Sequence, residues 1–190
     1  MTELAFMRVD ADGAIARSPM ERVALASGAR SERRSGWNVV IQDADAGFAD
    51  RSHIRKLEIT CPPAPAGRLG HATLADGGAW WCPITPTRML VFGGEEDGRD
   101  PRLKDALDVT CAHAALELIG PRSGELLARF CAIDVRPAVM PVGAFRPGSV
   151  ARTPGYVLRT GADSLLVLVG WALGEYLWRV VDDAARALHA

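Results

Sequence analysis

The sequence predicts an α+β fold in which two pseudo-repeated, ferredoxin-like halves pack together, each built on a split β-α-β unit. Three observations carry this prediction. From Ala115 to Leu188 the hydrophobic pattern orders itself as strand, helix, strand, strand, helix. The first half repeats a shortened version, with strands near residues 56–60 and 88–92 and a curtailed turn or helix after Pro62. Finally, "LEITCPPAPAGRLG" at Leu57–Gly70 echoes "LELIGPRSGELLARF" at Leu116–Phe130, so that Leu57-Glu58-Ile59 falls on Leu116-Glu117-Leu118 and Pro62 on Pro121. A repeat explains why two halves share one body, since neither alone buries enough apolar surface. Residues 1–16 read as an N-terminal tail and 17–190 as one domain, with pseudo-halves at about 17–105 and 106–190.

The elements follow in order. Ser18 is a natural helix N-cap, Pro19 suits the first helical position, and Glu21 completes a capping box, so a helix starts within "SPMERVALASGAR". "SERRSG" breaks that pattern, Gly36–Ile41 is a strand and "QDADAG" a loop. His53–Cys61 alternates, with Leu57, Ile59 and Cys61 on one face, until Pro62, Pro63 and Pro65 end it. "AWWCPITPTRMLVFGG" holds one strand, near Arg88–Phe92, with prolines marking an edge or irregular entry. "EEDGRDPR" is a solvated loop and "RLKDAL" a short helix. Ala115–Ile119 is a strand and Pro121–Phe130 a helix with Leu126, Leu127 and Phe130 on one side. "RPAVMPVGAFRPGS" is an irregular connection; the stretch after it is a strand, the turn "TGAD" and a returning strand. Leu173, Tyr176, Leu177, Val180, Val181, Ala184 and Leu188 then mark one face of a final helix.

Composition limits function. With 48% hydrophobic and 24% charged residues the chain can build a core. A net charge of −1 and no basic stripe argue against nucleic acid as a partner. "MTELAFMRVDADG" lacks the basic and apolar regions of a signal peptide, and no run of eighteen apolar residues exists, so the expectation is a cytoplasmic chain with no membrane partner. Cys61, Cys82, Cys111 and Cys131 lie far apart without a CxxC pair and read as reduced, buried residues.

No catalytic residue and no metal site is expected. Gly120-Pro121-Arg122-Ser123-Gly124 opens a helix as a phosphate cradle would, but its spacing matches neither GxGxxG nor GxxxxGK[ST], and Pro121 lacks a donor. Asp50, Ser52 and His53 adjoin on one extended segment, where a hydrolytic triad cannot converge. His71, His113 and His189 have no ligand spacing, although His113 neighbours Cys111. Glu95-Glu96-Asp97 with Asp100 lacks the regular spacing of a calcium loop. Among Trp37, Trp80, Trp81, Trp171 and Trp178, the interface candidates are Trp80, Trp81 and Trp178; Trp80 and Trp81 point to opposite faces if extended.

"ADRSHIRKLEI", "LELIGPRSGELLARFCAIDV", "RPGSVART" and "YLWRVVDDAA" together resemble the gamma subunit of heterotetrameric sarcosine oxidase, and more broadly the folate-binding aminomethyltransferase (glycine cleavage T-protein) superfamily, over residues 17–188. The resemblance implies a T-protein-like domain in an accessory, non-catalytic subunit. The complex around it would demethylate sarcosine oxidatively to glycine, releasing the carbon as formaldehyde or passing it to tetrahydrofolate. FAD, FMN, NAD and tetrahydrofolate would sit on other subunits, with alpha, beta and delta subunits as partners. Full T-proteins are longer and carry a further C-terminal domain, so the chain is expected to stop where a gamma subunit stops.

The motifs of active T-proteins are altered. Where the resemblance places an acidic "GGxxDD"-like stretch, this chain has Gly77-Gly78-Ala79-Trp80-Trp81-Cys82-Pro83, with no carboxylate. Where it places a "GYTGExG"-like turn, Tyr156 and Gly161 remain loosely and Ala162-Asp163 fill the turn. A "KGCYxGQE" signature is missing. The resemblance leaves His53, whose segment it places near the ligand funnel, with Tyr156 and Asp163 as the cofactor-binding candidates. The alternatives are a standalone folate-dependent aminomethyl transferase, or the equivalent small subunit of another N-methyl amine dehydrogenase.

Overall fold

The computed structural model describes residues 15–42, 47–60, 67–94 and 101–189. Cys61, the prolines 62, 63 and 65, the acidic residues 95–97 and 100, most of "QDADAG", the first fourteen residues and the side chain of residue 189 lie outside that description.

Two five-stranded antiparallel sheets form the body. The first runs β6 (Thr73–Leu74), β7 (Ala79–Thr85), β8 (Arg88–Gly93), β5 (Lys56–Thr60), β9 (Leu107–Asp108). The second runs β11 (Phe145–Val150), β12 (Thr153–Gly161), β13 (Ser164–Gly170), β10 (His113–Ile119), β4 (Phe48–Asp50). Each sheet takes an edge strand from the other half of the chain: β4 pairs with β10, and β9 with β5. A small third sheet joins β1 (Ala16–Arg17), β3 (Trp37–Ile41) and β2 (Arg30–Arg34). The helices are α1 (Glu21–Ala26), α2 (Ser123–Ala128) and α3 (Gly174–His189).

The period-2 alternation of the strands builds the layers. On β13, Leu165, Val167 and Val169 face the helices, while Leu166 and Leu168 face the first sheet. On β8, Leu90 and Phe92 face the second sheet, while Met89 and Val91 face outward under Leu103 and Ala106. The order is thus helices, second sheet, first sheet, and a thin outer cover. The helix layer is pinned where Gly174 meets Pro19: a Cβ on Gly174 would lie 2.8 Å from the proline ring. Beside that contact Arg22 Nε donates to Glu175 Oε1 at 2.7 Å.

Several expectations need correction. "SERRSG" is no break: its residues 31–34 belong to β2, which a two-residue turn at Ser35 (φ 46°) and Gly36 (φ 79°) joins to β3. Ser18 Oγ accepts from the Met20 N–H at 3.0 Å, but Glu21 turns to Asn38 and Arg17 instead of closing a capping box. Trp80 and Trp81 lie on a strand of their own, β7, which pairs with β8 even though it contains Pro83. The expected helix at "RLKDAL" is a single 3-10 turn at Pro101–Leu103 followed by β9. "RPAVMPVGAFRPGS" ends in β11. Among the described residues no helix lies between β5 and β8; that stretch forms β6 and β7. On α3 the stripe holds except at one position: Leu177 and Val181 are buried, Leu173, Val180, Ala184 and Leu188 pack against the core, Trp178 and Ala185 are buried beside them, and Tyr176 lies exposed at the rim.

Candidate functional site

The sequence-derived candidates occupy separate places. His53 follows β4 and stands on the wall of an open groove of about 920 Å³, with Trp37, Arg55, Asp108, Thr110 and Cys111 also in the wall. Tyr156 on β12 lines a second, smaller pocket of about 330 Å³ together with His113, Pro147, Pro154 and Leu168. Asp163 sits exposed in the β12–β13 turn, where its carbonyl accepts from the Gly120 N–H at 2.9 Å; it lines neither cavity. The three are not brought together.

Burial lowers the pKa of His53, against the raising influence of Asp50, so its imidazole is neutral near pH 7. Burial also lowers that of His113, whose Nδ1 is buried without a partner and whose ring meets Tyr156 edge-on at 6.1 Å. Phe145 stacks on Tyr156 at 5.3 Å. Asp108 is held below its usual range: burial alone would raise it, but hydrogen bonds from Thr110 together with the nearby Arg55 and Lys56 charges outweigh that. These groups offer two neutral imidazoles and a carboxylate, with no nucleophile in contact with a base.

Beneath the groove lies a residue the sequence did not single out. Lys56 is fully buried. Its Nζ donates to the carbonyls of Ser52 (2.9 Å), Ile54 (2.8 Å) and Thr110 (3.3 Å) and stands 5.9 Å from the centre of the Phe92 ring. Burial pushes its pKa down to about 8, with Asp50 opposing. Nearby, Asp50 Oδ1 accepts from the Ser52 N–H at 2.8 Å, while its Oδ2 is buried without a partner. Within "HIRKLEITC" a lysine on the polar phase of a strand reads as solvent-facing, so no sequence signal marked it. Arg159 is a second buried cation held by main-chain carbonyls, donating to Met140, Ala162 and Val135.

The remaining candidates are absorbed by the fold. Arg122 binds Glu125 at 2.9 Å and the Leu188 carbonyl at 3.0 Å, so the Gly120 turn is a joint between β10, α2 and α3. Trp178 is 1% exposed and packs edge-on against Phe48 at 5.1 Å. Trp81 is buried under the Arg102 guanidinium, 4.1 Å from its ring centre, and Trp80 is half-buried between the sheets. The surfaces of Trp81 and Trp178 are spent within this chain. Cys82 and Cys131 are buried, but Cys111 is exposed, contrary to expectation, because the turn Thr110–Ala112 carries it onto the groove wall. Among the described residues no cluster of His, Cys, Asp or Glu could hold a metal ion, and no helix is long and apolar enough to cross a membrane.

A chain of the heterotetrameric sarcosine oxidase from Corynebacterium sp. U-96, in complex with pyrrole 2-carboxylate, superposes with a TM-score of 0.72 at 20% identity, over 92% of this chain and 96% of that one. The glycine cleavage system aminomethyltransferase T from Bartonella henselae superposes with a TM-score of 0.64 at 14% identity, over 88% of this chain but only 57% of that one. The fold is therefore the α+β architecture shared by a sarcosine oxidase chain and an aminomethyltransferase. No curated protein matches the chain in sequence. The family profile "Sarcosine oxidase, gamma subunit family" matches residues 43–187, and the chain belongs to that family.

Proposed function

We propose that the chain is an accessory, non-catalytic gamma subunit of a sarcosine oxidase-type complex. The family match over residues 43–187 carries this reading. In it, the complex demethylates sarcosine oxidatively to glycine, and the one-carbon unit leaves as formaldehyde or passes to tetrahydrofolate. FAD, FMN, NAD and tetrahydrofolate belong to the other subunits, and the partners are alpha, beta and delta subunits in the cytoplasm. The packing of β7 supports the non-catalytic part. Trp80 and Cys82 face the second sheet and Trp81 the outer layer, so the stretch that resembles the acidic motif of active T-proteins supplies apolar packing in place of a carboxylate.

Co-expression with the three partner subunits and capture through a tag on this chain tests the reading. The expected result is one stoichiometric complex that oxidises sarcosine. Assembly of an active enzyme without this chain would overturn it. So would micromolar binding of tetrahydrofolate by the isolated chain in calorimetry, abolished by a substitution at Tyr156 or His53.

A further inference from the structure

Among the described residues β2 is an open edge of its sheet: it pairs with β3 alone, and all five of its residues are exposed. Arg34 and Trp37 close the two-residue hairpin and so form a hydrogen-bonded pair. By alternation, the backbone groups of Ser31 and Arg33 then point away from β3 into solvent. Three of the five residues are arginines, in a chain whose net charge is −1. Arg34 is neutralised by Glu32 at 2.8 Å; Arg30 and Arg33 form no salt bridge among the described residues. The same hairpin walls the groove, where Arg34 and Trp37 are joined by Arg55.

Charge on an edge strand blocks pairing with a copy of itself, because cation would meet cation across the new ladder. That argues against a second copy of this chain as the occupant. It favours a strand of the opposite sign.

We infer that β2 is a docking edge that takes an extended acidic segment of a partner subunit as a fourth strand. Ser31 and Arg33 supply the backbone hydrogen bonds, and the segment's carboxylates meet Arg30 and Arg33. This rests on the reading of the chain as one subunit of a hetero-oligomer.

The test uses the remaining subunits immobilised as a complex and the full chain in solution, at low and high salt. Two variants are compared with the wild type after circular dichroism confirms their folding. R30E/R33E reverses the exposed charge, and S31P removes one outward N–H without touching the β3 ladder. R30E/R33E is expected to slow association on the order of tenfold at low salt and to flatten its salt dependence. S31P is expected to speed dissociation. Wild-type kinetics in both variants would overturn the docking edge and leave the subunit reading standing. A wild-type chain that does not bind at all would overturn both. Nuclease-sensitive nucleic acid retained by the wild type and lost from R30E/R33E would overturn the protein occupant.

Discussion

Lys56 holds Thr110 twice. Its backbone N–H donates to Thr110 Oγ1 at 3.1 Å, and its ammonium donates to the Thr110 carbonyl at 3.3 Å. The same ammonium reaches back to Ser52 and Ile54. One side chain thus ties the loop after β4 to the turn that opens β10, and so couples the first sheet to the second. A buried cation satisfied by carbonyls with no carboxylate bonded to it is costly to desolvate but keeps three backbone acceptors paired.

Lys56→Met keeps the length and apolar stem while removing the donors. Two buried carbonyls and a half-buried one lose a partner, and the gain from removing a desolvated charge offsets part of that loss. The expected net effect is a destabilisation of roughly 2 kcal/mol, read as a lower urea midpoint at unchanged m-value. An unchanged midpoint would mean that water replaces the ammonium without cost.

The pH dependence of that difference has a definite sign. The Lys56 pKa is about 8 in the folded protein, against an ordinary value of 10.5. Between those values the unfolded chain binds a proton that the native state has released. Native stability owed to Lys56 therefore rises with pH across this window, by no more than about 1.4 kcal/mol per pH unit. Below pH 8 both states are charged and the desolvation cost is fully present. Urea titrations of wild type and Lys56→Met at pH 7.5 and pH 10 should show the wild type gaining on the variant; a gap that narrows contradicts the assignment.

Lys56 also shows where sequence reading stops. The strongest elements were legible because their signal is local: β10 and β13 are apolar runs, and α3 carries a helical stripe. β2 was not, because "RSERR" exposes all five residues and has no inward phase to betray a strand. β7 was masked by Pro83, whose place in a strand depends on how β8 pairs with it. The site suffered most. Whether Lys56 or Arg159 faces water depends on loops distant in sequence folding over them, and neither residue carries a pattern that says so.

The thiols should differ sharply in reactivity. Cys111 is exposed on the groove wall, whereas burial pushes the Cys82 thiol up to about 12 and also raises that of Cys131. Ellman's reagent on the native chain is expected to modify Cys111 and spare Cys82 and Cys131 until denaturant is added. In a Cys61→Ser background, Cys111→Ser should remove that fast phase. Rapid native labelling of Cys82 would show that the two sheets separate readily.

The β11–β12 hairpin carries two non-glycine residues in the left-handed region, Ala151 (φ 48°) and Arg152 (φ 63°). Ala151 is clamped there: its N–H donates to the Phe130 carbonyl at 2.8 Å, and Tyr176 donates its hydroxyl to the Ala151 carbonyl at 3.0 Å. Arg152 is exposed and has no such anchor among the described residues. Arg152→Gly relieves the left-handed penalty at the position where hairpin turns favour glycine, against glycine's larger unfolded-state entropy. The balance favours a gain of about 0.5 kcal/mol, measured as a higher melting temperature. A loss would mean that the arginine contributes more to the fold than its exposure implies.

The junction of α1 with α3 depends on the absence of one methyl group. A Cβ on Gly174 would lie 2.8 Å from Cβ and Cγ of Pro19 and 3.3 Å from Cβ of Ala114, and none of these atoms can swing aside on a flexible chain. Gly170, four residues earlier, has nothing within 4 Å of an added Cβ. Gly174→Ala must therefore push α3 off Pro19 and loosen the Arg22–Glu175 pair, at a cost of roughly 1–3 kcal/mol, although alanine is the better helix former. Gly170→Ala should stay within about 0.5 kcal/mol of wild type. Because α3 covers the helix-facing side of β10 and β13, the Gly174 variant should also bring hydrogen exchange at Leu177 and Val181 closer to that of the exposed turns. Equal stabilities for the two variants would mean that α1 has room to retreat, and that the Pro19 contact does not set the position of the helix layer.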